Sequence, residues 1–457
     1  MTNDCKETTR RRFLCGSAVA AGCFIGPGLL LGEQSDKGRP NDKLNIAGVG
    51  LGARGSENLE KCADTNIVAL CDVDWTRAAT TLNRYPNAKK FRDFRKMFDQ
   101  VKEIDAVVIS TPDHTHAVIA AEAMKRGKHV YVEAPLAHTI RETRELARLA
   151  RETGVTTQMG NERHSGPGIR RAVEMIWGGG LGPIREVHCW TNRPQWPQGM
   201  ARPSGQTAPS GLAWDLWLGP APAREFSPAY HPYRWRGWLD FGSGALGAMG
   251  CHLLDVAFWG LKLDHADSVL VEAKSTGING ETFPTASTIR YDFPARGDLP
   301  PVTITWHDGG RKPGRPELLP YGREIGSNGI LFMGEDHPMM FGPTVFGTTP
   351  GQVGPRTLPE HEPIKARRSY DKIPPVKVGD WTQGDRHVLE WIGACKNGTQ
   401  PCASLDYTAP LTEMVLLGNV ALVSGQSLTW DTRNGKRVGD DTPNPFIDRE
   451  YREGWTL

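Results

Sequence analysis

The chain has 457 residues and a formal net charge of +2. That length suits two or three domains with a substantial core. So balanced a charge leaves no footprint for nucleic acid or an anionic membrane surface, and no run after residue 31 is long and apolar enough to cross a bilayer.

Residues 1–32 read as an address. Thr9-Arg10-Arg11-Arg12-Phe13-Leu14 fits the twin-arginine export signature, and a weakly apolar stretch follows over 13–31. Export of the folded protein to the periplasm is expected, a route that suits a chain loaded with its cofactor beforehand. Ala20-Ala21-Gly22-Cys23 is a faint lipoprotein pattern, but Ala20 stands where leucine belongs, so lipid anchoring is not expected. Residues 33–43 are polar and read as a linker.

An apolar run over 44–49 then leads into Gly50-Leu51-Gly52-Ala53-Arg54-Gly55, a helical pattern begins, and the next apolar run, 67–71, ends at Asp72. Strand, glycine turn, helix, strand and acid is the order of a dinucleotide site. Gly50 permits the tight turn, Gly52 lets backbone approach a pyrophosphate, and Gly55 lets the helix pack on the strand. The helix start at Ala53 and Arg54 offers open N–H groups and a positive dipole end to phosphates. Asp72 is placed to accept from ribose hydroxyls, which favours NAD over NADP. Strands at 106–110, 129–133 and 155–159 alternate with helices over 115–126 and from the Thr139/Glu142 capping box to Thr153, stopped by Gly154. Residues 44–163 therefore read as a Rossmann domain on a parallel sheet.

Ligands of such sheets bind at the carboxyl ends of the strands. There lie Ser110-Thr111-Pro112-Asp113-His114-Thr115-His116, Glu133-Ala134-Pro135, and Asn161. Thr111, Pro112, His116, Glu133 and Asn161 join the cofactor-binding set. His114 and His116 would share a face on an extended segment, but with no third ligand in view a metal is not expected.

Residues 164–457 change character. A helix over 169–177 and an alternating strand over 184–190 precede 193–240, a loop with eight prolines and five tryptophans. A loop that long is usually functional. Trp196, Trp214, Trp217, Trp235 and Trp238 either line a sugar site or pin the loop to the core or to another subunit. A helix over 246–260, strands over 268–276, 285–293 and 302–307, and helices over 385–395 and 410–423 complete an α/β chain whose second domain carries an open, mostly antiparallel sheet. The six cysteines after the export segment have no C-x-x-C spacing, so zinc is not expected. Cys71 and Cys189 read as buried thiols, and Cys395 and Cys402 could bridge in an oxidising compartment.

The segments GLGARG, STPDHTH, GKHVYVEAPLA and GALGAMGCHLLD resemble those of the Gfo/Idh/MocA oxidoreductases, the glucose–fructose oxidoreductase and inositol dehydrogenase type. The similarity runs from residue 44 to the C-terminus. It implies a sugar or polyol substrate, NAD, and a homo-oligomer paired through open sheets. The family's Glu-Lys-Pro turn has Ala134 in place of its proton-transferring lysine. Its Gly-Asp-x-Gly-x-His motif has Ala248 in place of aspartate. His252 remains as the implied acid/base, with Asp255 one helical turn on to orient it or bind a hydroxyl, and Glu133 alongside. Glu162, Arg163, His164, His231 and Arg236 are further candidates for substrate contact. Three readings stay open: an exported NAD-dependent oxidoreductase of sugars or polyols; an NAD-using glycosidase or lyase with transient oxidation, whose members also lack the lysine; and a non-catalytic sugar- or cofactor-binding descendant.

Overall fold

The computed structural model describes residues 43–319, 321–322, 324–342, 355–358, 366–376 and 383–457. The export segment and the linker up to residue 42 lie outside the described residues.

The first sheet is built from β1 (Asn45–Val49), β2 (Asn66–Cys71), β3 (Lys89–Phe91), β4 (Ala106–Ile109), β5 (His129–Val132) and β6 (Thr157–Met159). They lie in the order β3-β2-β1-β4-β5-β6, all parallel. Helices α1 (Ala53–Glu60), α2 (Trp75–Arg84), α3 (Phe94–Gln100), α4 (Asp113–Lys125) and α5 (Ile140–Thr153) connect them. Successive strand residues face opposite sides. Ala47 and Val49 enter a core with α4 and α5, while Ile46 enters another with Leu59 of α1 and Leu82 of α2. The capping box at Thr139 and Glu142 forms, and Gly154 ends α5 in the left-handed region.

The second half opens with α6 (Pro167–Trp177) and β7 (Ile184–Trp190), then α7 (Trp214–Leu218), α8 (Gly244–Leu253) and α9 (Asp255–Gly260). Strands β8 (Ser268–Ser275), β9 (Ser287–Phe293), β10 (Val302–His307), β11 (Gly329–Gly334), β12 (Met339–Phe341) and β13 (Arg356–Thr357) follow. Helices α10 (Gln383–Asn397) and α11 (Leu405–Ser424) and strands β14 (Leu428–Asp431) and β15 (Lys436–Arg437) end the chain. Among the described residues these strands make one sheet, β13-β12-β11-β7-β10-β9-β8-β14-β15, with β7–β10 its parallel pair.

Several expectations need correction. The helix over 246–260 is two helices joined at Leu254. Helix α11 starts at Leu405 and carries Pro410 inside it, not at its first position; one lost backbone bond is tolerated in a helix buried on nearly every side. Helix α10 belongs by packing to the Rossmann sheet, where Val388, Trp391 and Ile392 join Ile46 and Tyr131. Cys395 and Cys402 are free thiols: Cys395 is buried in that same core, while the Cys402 thiol donates to Glu390 at 3.1 Å.

The tryptophan-rich segment folds into a small core of its own. Trp217, Trp235 and Trp238 pack with Leu212, Phe226 and Phe241, and Trp214 stacks on Trp217 at 4.6 Å. The packing bears out the reading that the tryptophans pin the segment to a core, and Trp196, Trp217 and Trp235 also border the cleft described next.

Candidate functional site

A cleft of about 560 Å³ runs from the glycine turn to helix α8. At one end Gly50 takes φ +81°, and a Cβ on Gly55 would collide with the Gly50 carbonyl. A Cβ on Gly52 would meet nothing within 4 Å. Gly50 and Gly55 thus serve the turn and the helix packing, while Gly52 keeps a space open in front of the α1 N-terminus. No side chain caps that end of α1, so its first N–H groups face the open space, which fits a pyrophosphate. Ala53 and Arg54 line it; Leu51 turns its side chain into the core and contributes its N–H to Asp72.

Asp72 accepts from Leu51 N at 2.6 Å and from Asp74 N at 2.8 Å, tying the end of β2 to the glycine turn. Burial pushes its carboxyl up to about 6. Thr111, Pro112, His116 and Glu133 border the middle of the cleft, and the buried Thr111 hydroxyl has no partner among the described residues. Pro112 caps α4, which begins at Asp113. His114 and His116 therefore lie on the first helical turn and not on an extended segment. His114 bonds the carbonyls of Phe241 and Trp217. His116 braces Pro135 O at 2.9 Å and Thr111 O at 2.8 Å, holding two cleft turns together. Among the described residues no cluster of metal-ligating side chains occurs.

At the far end Ala134 and Ala248 both border the cleft, with His252 beside them. The His252 ring faces Glu162 at 3.8 Å. Burial pushes its imidazole below the ordinary value, and Glu162 opposes that shift. Burial works against ionisation of Glu162, but His252 and Arg54 outweigh it and hold its carboxyl at about 2. Arg54 lies 3.8 Å from Glu162 and 3.9 Å from Glu133. Glu133 accepts from Asn58 at 2.6 Å, and burial pushes it up to about 7. Arg54 thus links Glu133 to Glu162, which in turn faces His252.

Asp255 does not orient His252. Its carboxylate is fully buried and taken by His164 Nδ1 at 3.0 Å, Asn161 Nδ2 at 3.2 Å and Tyr407 OH at 2.5 Å. Asn161, also fully buried, belongs to this strut. His164 stacks on Trp259 at 4.3 Å. Burial disfavours its charge, but Asp255 outweighs burial and pushes it up to about 10. His231 reaches the cleft while bonded to Asp74 at 2.8 Å, and Arg236 borders the cleft near α8. Sequence reasoning missed Asn58, whose only signal was its place one turn after Gly55, and Tyr407, which carried none.

The tryptophan-rich segment straps the end of the cleft beyond Asp72. Ala213 N donates to Val73 O at 2.9 Å, and Arg92 donates to Gly211 O at 2.8 Å. Trp455 closes the same end from the C-terminal tail, with the Arg95 guanidinium 4.5 Å from its ring.

Comparison with known proteins shows the family and the fold. Residues 44–161 match the model of the Gfo/Idh/MocA oxidoreductase family, NAD-binding Rossmann fold, and residues 184–297 match that family's C-terminal alpha/beta domain. A glycosyl hydrolase family 109 protein of Solibacter usitatus is 35% identical over 167 residues, 32% of this chain and 37% of the relative. The inositol 2-dehydrogenase of Salmonella typhimurium is 30% identical over 146 residues, 31% of this chain and 43% of the relative. The matched part thus spans less than half the length of either relative. A levoglucosan dehydrogenase solved with NADH shares the fold at 18% identity and a TM-score of 0.53, over 84% of this chain and 96% of that one. By both of its domains, and by the NAD-binding turn of the first, the chain belongs to the Gfo/Idh/MocA oxidoreductase family.

Proposed function

We propose that the protein is an NAD-dependent oxidoreductase that moves a hydride between a sugar or polyol carbon and the nicotinamide, with His252 as proton acceptor. The observation that carries this reading is the placement of His252 in the cleft, facing Glu162. Gly52 and the start of α1 would hold the pyrophosphate and Asp72 the ribose side. When bound, NAD supplies the hydride acceptor. Oxidising a secondary alcohol also needs its hydroxyl proton removed, and a placed base contributes about 10²–10⁴-fold. His252, held below its ordinary pKa, is neutral near pH 7 and ready to accept. Glu162 stays ionised and stabilises the imidazolium that forms. It thereby takes the part that the resemblance implies for the aspartate replaced here by Ala248. The relatives named inositol 2-dehydrogenase and levoglucosan dehydrogenase support a polyol or sugar substrate. The test is NAD reduction across a panel of sugars, with wild type and His252→Ala side by side.

A second reading is favoured by the strap across the Asp72 end. A nucleotide held under Gly211–Ala213 and Trp455 would exchange slowly and be regenerated in place, as transient-oxidation glycoside cleavage requires. The glycosyl hydrolase family 109 relative supports it. Sugar cleavage without net NADH accumulation would favour this reading, and stoichiometric NADH the first. We extend the proposal to twin-arginine export, supported by Arg10 to Arg12 ahead of the apolar stretch, and to a homo-oligomer paired through the nine-stranded sheet. Fractionation of an Arg10→Lys/Arg11→Lys variant and light scattering check these.

A further inference from the structure

Several arginines of this fold are answered by carboxylates, while the buried Arg170 and Arg296 bond backbone carbonyls instead. Arg144 meets Glu413, Arg224 meets Asp240, and Arg449 meets Glu142. Two arginines on the cleft wall depart from that pattern. Arg193 and Arg236 both border the cavity, and among the described residues neither has a carboxylate within 4.0 Å. Arg193 gives one N–H to Asn192 Oδ1 at 3.1 Å. Arg236 gives one to the Tyr233 carbonyl at 3.2 Å.

Arg236 is nonetheless fixed in place. Its guanidinium carbon lies 4.2 Å from the Trp235 ring centroid and 4.5 Å from that of Tyr233. Aromatic rings hold the flat face of a guanidinium and leave its edge donors free. That edge is a planar fork that matches the two oxygens of a carboxylate. Close packing sets its position along the chain, because a Cβ on Gly242, just before α8, would press on the Arg236 backbone. The same α8 carries Ala248 and His252 into the cleft. Ala134 and Ala248 bring no charge to that end, and the carboxylates that act on Arg236, Asp113 and Glu133, do so from beyond contact distance.

We propose that Arg236, assisted by Arg193, forms a carboxylate subsite, and that the sugar taken by this cleft is an acidic one of the hexuronic-acid class. The proposal rests on the reading of the cleft as a sugar site. A neutral sugar would leave the Arg236 fork desolvated with no carboxylate bonded to it, and a site so built discriminates against the ligand that lacks the partner group.

The test is isothermal titration of the NAD-loaded protein with glucuronate, glucose and glucose 6-sulfate. Glucuronate is expected to bind at least about tenfold tighter than glucose. That ratio should fall toward one in Arg236→Gln and sit between in Arg236→Lys, which keeps the charge without the fork. Arg193→Gln, on a separate segment, should narrow the ratio by a smaller factor, and it serves where Arg236→Gln does not fold. Equal affinity for glucuronate and glucose in the wild type would overturn the proposal. So would a ratio that neither arginine variant changes, or a preference for the sulfate with none for glucuronate. The readout is binding, so an absence of turnover on every sugar would strike the oxidoreductase reading and leave the subsite standing. Turnover without any acid preference would do the reverse.

Discussion

Asp255 and His164 are a matched buried pair: the His164 Nδ1 lies 3.0 Å from both carboxylate oxygens, and the two side chains are at most 2% exposed. His252, only three residues from Asp255 in sequence, faces Glu162 instead. The carboxylate nearest the acid/base candidate in sequence thus acts in the scaffold, and one from the end of the Rossmann domain stands beside the base.

Removing one partner of such a pair leaves a buried charge alone, which costs about 3–5 kcal/mol. Asp255→Asn is expected to lose that much in denaturant unfolding. The pair also sets a pH window. His164 is raised above its unfolded value of about 6.5 to about 10, so its contribution is whole below pH ~6.5 and drains away as pH rises through ~10. Wild-type stability should decline across that range, and Asp255→Asn should show no such decline.

Glu133 gives the opposite kind of group. Burial lifts its carboxyl from 4.5 to about 7, so the folded state keeps a proton that the unfolded state releases. Stability should then fall as pH rises from about 4.5 to 7, by up to about 3 kcal/mol. Glu133→Gln keeps the acceptor for Asn58 and should flatten that slope, leaving the variant more stable than wild type at pH 8. Thermal melts across pH check it.

The glycines of the turn separate fold from ligand. Gly55→Ala drives a methyl into the Gly50 carbonyl and should lower the melting temperature by several degrees, since about 1 kcal/mol already moves a domain of this size by ~2–4 °C. Gly52→Ala has open space and should melt like wild type while losing NAD affinity at least about tenfold, because its methyl stands where the pyrophosphate fits. Equal NAD affinity in wild type and Gly52→Ala would count against the pyrophosphate placement.

Glu162 raises the His252 pKa, against the effect of burial. Removing its charge should lower that pKa further. The acid limb of kcat/KM, which reports the base in the free enzyme, is expected below the ordinary histidine value in wild type. It should move lower still in Glu162→Gln, with a reduced plateau from the lost imidazolium partner. A limb that moves upward would contradict the pairing.

The Rossmann half was legible because its signals are local. Glycine turn, strand runs, capping box and Gly154 stop each occupy a few adjacent residues, and each structural element followed. Legibility failed where contacts cross long stretches of chain. Trp391 covers the Rossmann sheet, and Tyr407 donates to Asp255, and neither leaves a mark in local periodicity. Strand β11 is buried along most of its length and so lacks the polar alternation that marked β9 and β10. His114 and His116 were misplaced because Pro112 reads equally well as a strand stop and as a helix cap, and their ring nitrogens turned out to hold backbone carbonyls.

The most direct measurement is a single-turnover experiment. Protein loaded with NAD is mixed with a panel of neutral and acidic sugars, and formation of NADH is followed in wild type and in His252→Ala. With His252 as proton acceptor, at least one sugar reduces the bound NAD in wild type, and His252→Ala slows that step by about 10²–10⁴-fold with NAD affinity unchanged. Reduction at the same rate in the variant, or none in the wild type with any sugar, would contradict the assignment.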